Sequence, residues 1–83
     1  MLHVTDLRIL PEFRLWLRFS NRVEGIADLS SQLHGPIFEP LRDAQRFAEA
    51  TLDADSHTVA WPNGADLAPE FLLELVRSAE AHA

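Results

Sequence analysis

Between Phe13 and Phe19 the chain alternates apolar and polar residues without a break. Phe13, Leu15, Leu17 and Phe19 fall on one side, and Arg14, Trp16 and Arg18 on the other. A β-strand has a side-chain period of two, so this run reads as a strand with one buried face. Ser20-Asn21-Arg22 then reads as a turn, and Val23 to Leu29 as a further strand with Val23, Ala27 and Leu29 on its apolar face. The two apolar faces must meet on the same side, because a slip of one residue turns every side chain over. Pairing Phe19 with Val23 satisfies this, and it sets Arg18 opposite Glu24, Trp16 opposite Ile26 and Arg14 opposite Asp28. Opposite charges facing each other across a sheet contribute roughly 0.2–1 kcal/mol a pair. A three-residue loop closes most easily on a left-handed residue, and Arg22 stands where glycine fits best.

A strand also fits residues 3–10, ended by the turn Pro11-Glu12. Pairing Leu7 with Leu17 puts Asp6 beside Arg18 and Arg8 over Trp16, whereas the competing register sets Arg8 against Arg14. The first register is preferred on charge.

Downstream, residues 29–36 form a connector, and residues 37–41 an irregular crossing. Asp43 suits the N-cap of a short helix over 44–50 anchored by Phe47. Residues 51–53 and 58–61 read as a short hairpin, and Pro62-Asn63-Gly64 as a turn. Pro69 suits the first position of a helix reaching Ala81. Phe71, Leu72, Leu75, Val76 and Ala79 form its apolar stripe, with Glu70, Glu74, Arg77 and Glu80 outside and Leu73 off the stripe. The expected architecture is α+β, a single domain over residues 1–83: a three-stranded antiparallel meander, a short hairpin, a middle helix, and a C-terminal helix packed on the sheet. The expected core is Leu7, Ile9, Leu15, Leu17, Phe19, Phe38, Phe47, Val59, Phe71, Leu75 and Val76.

Thirteen acidic side chains stand against seven basic ones, all arginine, for a net charge of -6 over 83 residues. A chain binding a phosphate backbone by itself needs a basic stripe, so this balance points away from nucleic acid and towards a basic protein partner or self-association. There is no cysteine, which removes disulfides, thiolate metal sites and cysteine nucleophiles. No apolar run is long enough for a membrane span, and the start at Met1 has no signal-peptide character, so a cytoplasmic location is expected.

Enzymatic signatures are missing as well. His3, His34, His57 and His82 have neither zincin nor zinc-finger spacing. The run Asp53 to His57 opens like a calcium loop but has no glycine at the sixth position and no glutamate at the twelfth, and reads as a polar turn. There is no nucleophile elbow, phosphate loop or dinucleotide fingerprint. The reading is a non-enzymatic chain with no cofactor and no metal. The candidate protein interface is Arg8, Arg14, Trp16 and Arg18 on the strands, with Glu70, Leu73, Glu74 and Arg77 on the last helix. Arginine and tryptophan together have the composition of an interface hot spot. The competing structural reading stacks the arginines on Trp16 and pairs them with Asp6, Glu24 and Asp28.

The segment Trp61 to Leu72 joins an aromatic strand end, a Pro-Asn-Gly turn and a proline-started helix. With Val4-Thr5-Asp6, the strand Leu15-Trp16-Leu17-Arg18-Phe19 and the connector Phe38-Glu39-Pro40-Leu41, it resembles a bacterial domain-of-unknown-function family, DUF2442. The resemblance implies a compact α+β domain. Some members of that family carry a helix-turn-helix extension, which is not expected in a chain ending at Ala83. Stand-alone members resemble the antitoxin of a toxin–antitoxin pair, which implies a basic toxin as partner. A DNA-associated regulator acting as an oligomer is the alternative, and a small-ligand binder the second.

Overall fold

The computed structural model describes residues 1–81, with the side chains of Glu80 and Ala81 left aside; His82 lies outside the described residues. Three antiparallel strands, β1 (Val4–Leu10), β2 (Arg14–Phe19) and β3 (Glu24–Asp28), form a meander in the order β1-β2-β3. Helix α1 (Ala44–Phe47) follows a 3₁₀ turn over Glu39–Arg42. The hairpin of β4 (Thr51–Asp53) and β5 (Thr58–Ala60) then leads to helix α2 (Pro69–Ala81). The fold class is α+β, as the sequence implies.

Both registers follow from the charge and polarity argument. Arg18 faces Glu24, Trp16 faces Ile26 and Arg14 faces Asp28. On the other side Leu7 faces Leu17, and Arg8 faces Trp16. An irregularity between Val4 and Asp6 shifts the start of β1, so Val4 pairs with Phe19. The turn after β2 closes with Arg22 at φ 71, left-handed as the loop length demands. Its amide donates to the Phe19 carbonyl at 3.0 Å, and the Asn21 side chain accepts from the Val23 amide at 3.1 Å. Glu12 and Phe13 are also left-handed, which tightens the first turn beyond a simple Pro-Glu corner.

The inner sheet face carries the core. Leu15, Leu17, Phe19 and Ala27 are buried in one cluster with Leu29, Leu33, Leu41, Phe47, Val59, Trp61, Leu72 and Val76. Helix α2 packs mainly against β3 on this face. Pro69 opens it, and the Ala68 carbonyl accepts the first helical bond from the Leu72 amide. Asp43 caps α1 through its side chain, which accepts from the Gln45 amide at 3.0 Å.

Several expectations are corrected. Ile9 is 36% exposed, because it lies near the end of the edge strand β1, where little packs over it. Leu7, Phe38, Phe71 and Leu75 are half-buried, and Ala79 is exposed. The narrow buried line of α2 is Leu72 and Val76, one turn apart; Leu73 is half-buried against the core rather than exposed. The core is instead completed by Leu29 and Leu33 of the connector and by Leu41 of the 3₁₀ turn. The crossing thought irregular contains the 3₁₀ turn, and the middle helix is one turn long rather than two. The third strand is shorter than residues 23–29 and ends at Asp28.

Candidate functional site

The outer sheet face is the site that the strand alternation builds. Because Leu15 and Leu17 point inward, Arg14, Trp16 and Arg18 point away from α2 and the core. Register then assembles three cross-strand rows. Asp6, Arg18 and Glu24 form the first; Arg8, Trp16 and Ile26 the second; Leu10, Arg14 and Asp28 the third. The face is open: Ile26 is 40% exposed, and Trp16 is only half-buried.

Trp16 is flanked by two guanidinium groups. Arg8 and Arg18 each sit 5.4 Å from its ring centroid, within range for an attraction to the ring face. Arg18 also bridges two carboxylates. Its Nε donates to Glu24 Oε2 at 3.0 Å, and its Nη1 lies 3.4 Å from Asp6 Oδ2. These pairs are about half exposed, so each contributes little to stability, on the order of 0–1 kcal/mol. They hold the guanidinium over the tryptophan.

Arg14 departs from expectation. It faces Asp28 in register yet makes no ion pair with it, and its Nε donates to the Pro11 carbonyl at 3.0 Å instead. Asp28 turns to the connector. The Ser30 hydroxyl and amide, with a smaller effect of Arg14, hold its carboxyl below the usual range. Among the described residues, the ion pairs of this face are therefore those of Arg18 alone, and Arg8 has no carboxylate within range.

The helical half of the predicted interface lies elsewhere. Glu70, Glu74 and Arg77 are exposed, but α2 is on the inner side of the sheet, so the sheet separates them from Trp16. Leu73 leans into the core. No local pattern places the strand residues and the helix residues relative to one another, and α2 packs on the opposite side of the sheet from Trp16. Ile26 was missed as a site residue; its place opposite Trp16 was the available signal.

Other polar clusters serve structure. Asp53 Oδ2 accepts from the Ser56 hydroxyl at 2.6 Å and its amide at 3.1 Å, which closes the β4–β5 turn and lowers the Asp53 pKa. The rings of His3 and His57 stack at 4.1 Å, joining this turn to the start of β1. Among the described residues, no three histidine, aspartate or glutamate side chains converge as a metal site would require. Asn63 donates to the Ile37 carbonyl and accepts from the Ala65 amide, and Gly64 takes φ 91 in the same turn. Asp66 bridges Ala60 through the backbone. Among the described residues, one half-open cleft of about 300 Å³ is lined by Arg46, Glu49 and Trp61, and another of about 330 Å³ by Ile9, Pro11 and Phe47. No helix among the described residues is long and apolar enough to cross a membrane.

The family model for proteins of unknown function DUF2442 matches residues 4–78. The chain belongs to this family. Among solved structures it resembles the crystal structure of "Putative DNA Binding Protein NE0471" from Nitrosomonas europaea ATCC 19718, with a TM-score of 0.84 at 17% identity. The match covers 98% of this chain and 52% of that one, so the chain spans about half the length of its structural relative. At that identity the likeness establishes a shared fold. No curated protein matches the sequence.

Proposed function

We propose that this DUF2442 chain is a non-enzymatic protein-binding module that docks a basic partner on its outer sheet face. The observation carrying this reading is that face itself: a half-buried tryptophan between two arginines, beside an exposed isoleucine, ringed by charges that cancel. Aromatic and arginine side chains at the centre of a charged rim have the make-up of an interface hot spot. The net charge of -6 selects for a basic partner. In the narrower form of the proposal, the chain is the antitoxin that masks a small basic toxin.

Co-expression with the product of the adjacent gene, followed by size-exclusion chromatography, tests it. The expected result is one co-eluting complex, lost on Trp16→Ala while the variant's melting temperature stays close to that of the parent. Independent elution of two folded proteins at micromolar concentration overturns it.

The second reading is a DNA-associated regulator acting as an oligomer, favoured by what the Nitrosomonas protein is called. Against it stand the three carboxylates interleaved with Arg8, Arg14 and Arg18, since phosphate binding scales with uncompensated positive charge. Fluorescence anisotropy on labelled duplex DNA distinguishes the two: no saturable binding at physiological salt is expected of the protein-binding module.

A further inference from the structure

We infer that the free edge of β3 is a docking site for an extended peptide segment with the pattern basic–x–apolar–x–basic, added as a fourth strand. The inference rests on the protein-binding reading and gives that partner a shape.

The backbone parity of β3 is fixed at both ends. The Phe19 amide donates to the Val23 carbonyl at 2.9 Å, and the Leu29 amide donates to the Phe13 carbonyl at 2.9 Å. Antiparallel pairs alternate between bonded and non-bonded, so Gly25 and Ala27 turn their backbone groups to β2. Glu24, Ile26 and Asp28 therefore direct their N–H and C=O groups away from the sheet. Among the described residues, no backbone hydrogen bond outside the ladder reaches any of the three. β3 is also the last strand of its sheet. A row of unpaired donors and acceptors is a template for another strand.

The same three residues set the chemistry of the occupant. Their side chains lie on the outer face and read acid, apolar, acid, with Ile26 beside Trp16. A second copy of this chain does not fit. Antiparallel self-pairing centred on Ile26 sets Glu24 against Asp28 twice, and facing like charges destabilise a sheet. An arginine or lysine on each side of an aliphatic residue complements all three positions. The pattern is symmetric, so it serves either strand direction.

The test uses the labelled protein and two blocked heptapeptides by NMR. Both peptides alternate threonine with three other residues: arginine, valine, arginine in one, and glutamate, valine, glutamate in the other. The first is expected to shift the amides of Glu24, Ile26 and Asp28 saturably and to slow their hydrogen exchange; the second binds about tenfold more weakly or worse. Ile26→Pro removes an edge donor that β2 does not use, so it abolishes binding while the β2–β3 ladder persists. The double variant Glu24→Lys/Asp28→Lys reverses the peptide preference, and it carries the test by itself if the proline variant does not fold. Absence of saturable binding at millimolar basic peptide, shifts confined to other residues, or binding retained in folded Ile26→Pro overturns the inference. A complex with the adjacent gene product that is lost on Trp16→Ala but kept in Ile26→Pro leaves the protein-binding reading standing while removing edge pairing.

Discussion

Two tryptophans in one short chain have opposite roles, and their neighbours decide which is which. Trp61 is 4% exposed and donates its indole N–H to the Phe47 carbonyl at 2.9 Å, deep in the core. Trp16 lies in the open between two arginines. Trp61→Phe removes the indole bond to the Phe47 carbonyl, which keeps the Ala50 amide at 3.3 Å, and leaves a cavity under the smaller ring; the two losses together should cost about 1–3 kcal/mol in denaturant unfolding. Trp16→Phe leaves no buried group unpaired, and its loss should stay near the roughly 0.5–1 kcal/mol of an exposed cation–ring contact. A Trp16→Phe cost equal to that of Trp61→Phe would contradict this division. Trp16 was legible as an outward residue from alternation. The partner of Trp61 was not, because a residue fourteen positions away reaches it only through the tertiary fold.

At the scale of elements, the meander was readable almost in full. Each of its registers is set by two independent signals, apolar faces and facing charges, and both signals are local in sequence. Charge complementarity in register did not guarantee an ion pair, as Arg14 and Asp28 show: a nearby carbonyl and a nearby serine offered each a shorter reach. This makes Asp28 a tie between β3 and the connector, and it has a pH signature. Its carboxyl is held below its ordinary value by Ser30 and Arg14, so its stabilisation is complete above the unfolded pKa of about 3.9 and is lost as pH falls through the lower folded value. Melting curves of the parent and Asp28→Asn should differ at neutral pH by less than about 1 kcal/mol, since the group is exposed. The difference should shrink steadily below about pH 4. A gap that widens on acidification would overturn the assignment. The helical elements were harder to delimit. A one-turn helix and a 3₁₀ turn have too few residues for a period to emerge, and their positions follow from Leu41 and Phe47 finding the core.

For the whole molecule, a chain of 83 residues is stable by roughly 4–12 kcal/mol. Leu72 and Val76 hold α2 to the sheet and close the inner face. Leu72→Ala should therefore cost about 2–5 kcal/mol, a large share of that stability, while Leu73→Ala, half-buried, should cost clearly less. Urea titrations of the two variants check the order, and a larger loss at Leu73 would mean that the helix is rotated from the position described. The inner-face closure also leaves the opposite face bare, and the proposed docking surface is a consequence of that asymmetry.

The three-strand meander, its two registers, the left-handed turn at Arg22, the cap at Asp43 and the proline start of α2 are all written in local sequence. Each rests on residues a few positions apart, where backbone geometry leaves few choices. Which apolar residues are buried, how the connector and the 3₁₀ turn complete the core, and why Glu70, Glu74 and Arg77 are on the far side of the sheet from Trp16 were set by long-range packing. Burial depends on what covers a residue, and that is settled by the packing of α2 on one face of the sheet rather than by any local pattern.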